Sequence, residues 1–407
     1  MPESVPAPPP VSRAARQRLA QSLDEPTRAR LSRVVRLWAG VKRRGGRVLV
    51  VTGSGPNLHE GVTTLIAHLV EKGLVDGVLT SAAVVGHEMA GTLERVRRVE
   101  GARLGLPARV LPADGKVEVA LLGARRLRAL ARELDWDQDY YRRLLAAPGR
   151  EIIKVAGNLA YPTGLWMETL AQRLLPRARD LELPLEAVLG PGCHRWTMLG
   201  ACARRGVPCL VTVPQLVGGG QVGLALGDSL PLSRRSALVA QALAGADLII
   251  ESGLALAQEI HDGPFELYTG HGLWAHHQGR PTFSLADKPV VRIDLDPQIE
   301  RVWQLQRQDA AVARAIDLGR PKATTLKLPF RMEMSGFARL PRSLPLVADL
   351  GVVWPVLAGR LAAALGVKLE FMCYKQGTPP GEAVRNYIVE NITPLDPARV
   401  LRGGRGT

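Results

Sequence analysis

The residues able to do chemistry in this chain gather at small-residue turns that follow apolar runs. The first turn, TGSGPNLHEG at 52–61, comes directly after VLVV. Gly53, Gly55 and Gly61 carry no Cβ, so the backbone there can approach a phosphate or close a tight turn, although their spacing is not the dinucleotide fingerprint. A second turn, after VDGVLT at 75–80, leads to His87 and Glu88. At a strand end a histidine can act as a general base and an acid can orient an amine; the competing reading is a surface pair capping the next helix. Glu251, Glu259, His261 and Asp262 suit either a cleft for a cationic substrate or a solvated helix. His271, His276 and His277 have no acid or cysteine at ligand spacing, so no metal is expected, and Trp274 beside them reads as a ring platform or a loop anchor. Cys193, Cys202, Cys209 and Cys373 lack CxxC pairing and read as buried thiols.

These turns require a framework that repeats strand, turn and helix. Residues 47–88 read as one parallel βαβ step. The theme returns in a strand at 151–156 running into GNLAYPTG, a helix over 166–179, and the turn, helix, strand and glycine loop of 188–220. It continues with a helix over 238–244, a strand in ADLIIESG at 246–253, a strand over 288–295 that ends in two acids, and a strand, turn and helix over 345–365. A basic helical region is expected around 121–134. Such alternation predicts an α/β fold: a mainly parallel Rossmann-like sheet with helices on both faces, binding its ligand at the carboxyl ends of the strands.

With 46% apolar and 22% charged residues in 407, the chain has the material for a large aliphatic core. No apolar run reaches the ~20 residues that span a bilayer, and the proline-rich start has no signal-peptide pattern, so a cytoplasmic location is expected. The net charge is +15, and residues 1–47 hold eleven arginines and lysines against three acids. The excess is thus concentrated in a basic arm, without the aromatic platforms or reading module that would predict nucleic-acid binding. The division expected is an arm over 1–45, proline-rich and then helical, and a single α/β domain over 46–400.

Four segments in order resemble the deoxyhypusine synthase superfamily, an NAD-binding α/β fold: GPNLHEG with LVEKGLVDGVLTSAA, GNLAYP at 157–162, GVPCLVTVPQLVGGG at 206–220, and VADLGVVWPVLAGRLA at 347–362. The resemblance implies a homo-oligomer, dimer or tetramer, and NAD contacts at Gly55, Asn57, Thr80, Ser81, Gly219, Gly220 and Asp349. Departures bear on the activity. The stretch 333–349 contains no lysine where the family forms its imine, and Lys322 and Lys327 lie upstream. The acids of the family's Thr-Asp-Gly loop correspond to Gly218 and Gly223, its Glu-Glu-Asp to Gly86, His87 and Glu88, and its glycine triplet and histidine pair to Glu251, Ser252, Gly253 and His261. Deoxyhypusine itself is therefore not the expected product.

GPNLHEG and VVGHE are also similar to the nucleotide domain of the archaeal and cyanobacterial ornithine cyclodeaminase family, where His59 and the His87/Glu88 pair fit better. The first resemblance implies a divergent deoxyhypusine synthase-like NAD enzyme, a transferase or deaminase acting on an amine or amino-acid substrate through an imine, with His87, Glu88, Glu251 and His261 as catalytic candidates, and an ornithine cyclodeaminase-like NAD enzyme is the alternative. A fold-retaining NAD-binding or assembly protein without catalysis is the other reading.

Overall fold

The chain is described by a computed structural model covering residues 13–121, 139, 142–143, 146–154, 162–253, 267–269, 283–285, 287–297, 299–301, 304 and 342–402. Its strands are β1 (Val48–Thr52), β2 (Gly77–Thr80), β3 (Glu94–Glu100), β4 (Lys116–Leu121), β5 (Gly149–Lys154), β6 (Cys209–Val211), β7 (Leu248–Ser252), β8 (Val290–Asp294) and β9 (Ser343–Val347). Six of them form one sheet in the order β6-β2-β1-β7-β8-β9, and every neighbouring pair is parallel. The chain steps outward from β1 through β2 to β6, then returns to the other side of β1 for β7. That reversal makes the gap between β1 and β7 the topological switch point, where doubly wound sheets open a crevice at their carboxyl edge.

The apolar runs form strands because both faces of the sheet are covered. Along β1, Val48 and Val50 belong to one core, while Leu49 and Val51 belong to a second on the opposite face. The larger core takes Leu65, Ile66 and Leu69 from the helix Val62–Glu71, and Val353, Trp354 and Leu357 from the helix Leu350–Leu365. The smaller takes Val239, Ala240 and Leu243 from the helix Leu232–Ala244. The helices and strands expected over 166–179, 238–244, 246–253, 288–295 and 345–365 are all present, with ends shifted by a few residues. Of the basic helical region expected over 121–134, all but Leu121 lies outside the described residues, as do GNLAYP through Tyr161 and the group Glu259, His261, Asp262, His271, Trp274, His276 and His277.

Two features bear on the division drawn from sequence. First, the helix Glu25–Arg43 packs against the rest of the chain, with Leu31, Val34 and Trp38 buried in the main core. Trp38 meets Trp354 edge-on at 6.3 Å and donates from Nε1 to the Leu74 carbonyl at 3.0 Å. Lys42 pairs with Asp76 at 2.7 Å beside the start of β1. Arg33, Arg36 and Arg43 occupy the outer face of this helix, and the apolar stripe on the other side decides where it lies. Second, β4-β3-β5 form a separate antiparallel sheet, with a small core of Val99, Leu104, Val119 and Ala147. Among the described residues no helix is long and apolar enough to cross a membrane.

Candidate functional site

A cavity of about 430 Å³ opens at the carboxyl edge of the six-stranded sheet. Its wall is made of strand ends: Gly53 and Ser54 after β1, Ser252 and Gly253 at β7, Asp294 at β8 and Asp349 after β9. Gly55 lies in the β1 turn between two lining residues, Ser54 and Pro56. Its φ of +66° is the left-handed region that glycine tolerates, and a Cβ built on Gly53 or Gly55 would meet nothing within 4 Å. The turn therefore presents bare backbone to open space.

Asn57 is buried and fixes this turn to β7. Its Nδ2 donates to the Ser252 carbonyl at 3.1 Å, its Oδ1 accepts from Ser252 Oγ at 2.6 Å, and Ser252 Oγ accepts from Trp354 Nε1 at 2.8 Å. A side chain so engaged holds the wall in place. Asp349, the acid expected from the resemblance, has two roles in the fold: Oδ1 accepts from Gly351 N at 2.9 Å as the N-cap of the helix Leu350–Leu365, and Oδ2 pairs with Lys375 at 3.2 Å.

Thr80 ends β2 and Ser81 follows it, while Gly219 and Gly220 lie in the loop beyond β6 that packs on the helix Ala82–Met89; none of the four lines the cavity. Thr80 is buried with no partner on its hydroxyl, and Ser81 Oγ caps its helix by accepting from Val84 N at 3.2 Å. A Cβ on Gly219 would come within 2.4 Å of Ala82 Cβ, so that glycine permits close packing of its loop on the helix Ala82–Met89. Gly220 has φ +56°.

The catalytic candidates are placed differently from the surface pair or cleft that sequence suggests. Glu88 is buried, and its two oxygens accept from Met198 N at 2.8 Å and Leu199 N at 2.9 Å, capping a neighbouring helix start. Burial raises its carboxyl to about 7, with those two N–H groups pulling the other way. Glu251 is buried on β7, directly across from Arg292 on β8, whose Nε donates to it at 2.6 Å. Neither lines the cavity. His87 is buried as well, and its imidazole is lowered to about 4 by burial and by the neighbouring His59. His261 lies outside the described residues.

Sequence reasoning missed Glu60, although it stands in the quoted GPNLHEG. Glu60 lines the cavity with 5% of its surface exposed. Its Oε1 accepts from Gln376 N at 3.2 Å, and Oε2 is buried without a partner. Burial, then the Asp349 carboxylate, raises it to about 7. The signal available was the acid itself, at the end of a turn whose register onto the cavity only the fold supplies. With Asp294 and Asp349 it gives the cavity three carboxyl groups, an arrangement suited to an ammonium ion or to ribose hydroxyls.

No family model matches the chain, and no curated protein does. Among solved structures, the complex of AgrE with ornithine and NAD+ is 14% identical, with a TM-score of 0.40 over 86% of this chain and 34% of that one. A mutant AgrE bound to L-arginine is 15% identical, also with a TM-score of 0.40, over 85% and 33%. A conserved LOR/SDH protein from Methanococcus maripaludis S2 is 12% identical, with a TM-score of 0.35, over 90% and 71%. The chain thus spans about a third of the length of AgrE.

Proposed function

We propose that the carboxyl-edge cavity binds NAD together with a small amine or amino acid, and that the reaction is an ornithine cyclodeaminase-like oxidation and deamination or cyclisation, with no transfer to lysine. The observation that carries this reading is one cavity at the switch point that combines bare glycine backbone with buried carboxyl groups. The residues present fit a dinucleotide: the Gly53–Gly55 backbone leaves room for a pyrophosphate, and Asp294 and Asp349 stand at strand ends where they can accept from ribose hydroxyls. NAD, when bound, supplies the two-electron oxidation of a carbon next to nitrogen, which leaves an imine.

The chain's own residues bind, orient and move protons. Glu60, titrating near 7, can take a proton from an incoming ammonium group and return it, since a carboxyl is most effective when its affinity for the proton matches the ambient pH. Asp349 cannot swing away, because its Oδ1 caps a helix, so it offers a fixed negative charge. Asn57 and Ser252 lock the β1 and β7 turns to each other and keep the wall from widening. Lys375 reaches Asp349 from the segment between the helices Leu350–Leu365 and Pro379–Asn391, whereas the stretch 333–349 has no lysine for aminobutyl transfer.

Calorimetric titration with NAD and NADH tests the reading. The wild type should bind. Asp349→Asn, which keeps a good N-cap but removes the charge, should bind more weakly by about 1 to 3 kcal/mol, roughly tenfold to a hundredfold. Absence of binding by the wild type, or equal affinities, refutes the site.

A further inference from the structure

Three arginines are buried among the described residues: Arg235, Arg292 and Arg385. The first two are neutralised, Arg235 by Glu186 and Arg292 by Glu251. Arg385, on the helix Pro379–Asn391, is 3% exposed and pairs with no carboxylate. Burial alone displaces its titration, down to about 10, with no charged neighbour contributing. It therefore remains a cation at neutral pH, enclosed without a counter-ion, which is costly unless a partner arrives.

The guanidinium shows which of its edges is free. Nη1 lies 3.1 Å from His59 Nδ1. A guanidinium only donates, so this ring nitrogen is the acceptor, and the neutral imidazole carries its proton on Nε2. The remaining donors, Nε and Nη2, are both buried without a partner. They share one edge of the plane, the fork that grips two oxygens of a carboxylate or phosphate at once. His59 is close enough to His87 to help lower its titration, and burial, the main cause for both rings, keeps them neutral, so neither adds a competing positive charge. His59 is partly exposed, which puts one side of the cluster at the surface, and it precedes Glu60 of the cavity wall.

We infer that Arg385, held by His59, forms an oxyanion site that takes the carboxylate or phosphate group of a ligand through its Nε/Nη2 edge. The inference rests on the geometry of Arg385 and does not require that NAD occupy the cavity. Joined to the proposed function, it makes the ligand one that carries an acid group besides whatever the carboxyl groups hold.

Nuclear magnetic resonance of the full chain with isotope-labelled histidine tests this. Sodium acetate and sodium phosphate, each compared with sodium chloride at equal ionic strength, should shift the His59 and His87 ring signals saturably in the wild type and not in Arg385→Met. Arg385→Lys, which keeps the charge and loses the fork, should bind at least about tenfold more weakly. L-ornithine against diaminobutane, and ADP against adenosine, separate the two sources: a carboxylate ligand shows in the first pair and a phosphate ligand in the second. Absence of a saturable shift beyond chloride overturns the site, as does an equal shift in Arg385→Met. Should that variant fail to fold, wild-type affinity in Arg385→Lys does the same. Asp349→Asn should leave the acetate and phosphate shifts intact, so a failure of the NAD reading remains distinguishable from a failure of this one.

Discussion

Glu60→Gln separates the electrostatic account of the cavity from a purely steric one. In the folded protein the Glu60 carboxyl is raised from 4.5 to about 7, burial being the main cause and Asp349 the second. Because the side chain is 5% exposed, little of this is lost to solvent screening, and the shift corresponds to about 3 kcal/mol against the ionised form. For a carboxyl raised on folding, the folded state holds the proton more tightly than the unfolded state. Its favourable contribution is complete below 4.5 and is lost as pH rises to about 7. His59, His68 and His87, each lowered to about 4, act with the opposite sign: they favour the fold above 6.5 and lose that contribution as pH falls toward 4. Glu88, raised to about 7, adds to the Glu60 slope. The wild-type profile is therefore a sum of opposed terms, and the difference between wild type and Glu60→Gln isolates one of them. Denaturant unfolding at intervals from about pH 4 to about pH 8 should show the variant gaining roughly 3 kcal/mol relative to wild type across that range. A difference that stays constant with pH would falsify the claim that Glu60 is a buried proton-holding group, and with it the role assigned to it as a base.

Further outcomes follow from the packing. Arg235→Met leaves Glu186 enclosed without its counter-ion and also removes donors to the Val211 and Leu226 carbonyls; about 3 to 5 kcal/mol should be lost in chemical denaturation. Gly219→Ala drives a methyl into Ala82 and should cost about 1 to 3 kcal/mol by overpacking. Gly55→Ala meets open space, so only its positive-φ backbone is penalised, by roughly 1 to 3 kcal/mol, and any larger loss should appear in NAD affinity and not in stability. Deleting residues 1–45 should abolish cooperative unfolding, because loss of Trp38 alone is worth about 3 to 5 kcal/mol against a usual total of about 5 to 15. A sharp thermal transition in that truncation would restore the detachable arm.

The parts of this fold legible in sequence are those where one physical signal dominates. β1, β7 and β8 are apolar runs closed by small residues or acids, and full burial on both faces imposes that pattern. The packing of the helix Glu25–Arg43 is hard to read from sequence because its arginines dominate the composition, whereas the stripe of Leu31, Val34 and Trp38 between them is what enters the core. β3 alternates Glu, Arg, Val, Arg, Arg, Val, Glu, so charge obscures the period of a strand that pairs on both sides. For the site, residue type alone does not separate the acids. Glu88, Glu251 and Glu60 are equally plain glutamates in sequence, yet the first caps a helix, the second neutralises an arginine and the third faces a cavity. What distinguishes them is the partner brought from more than 40 residues away: Met198 for Glu88, Arg292 for Glu251, Gln376 for Glu60. Arg385 stands at the end of the same argument. Its chemical meaning comes from the absence of such a partner on one edge of its guanidinium, and a missing partner becomes legible only when the surroundings of the side chain are known.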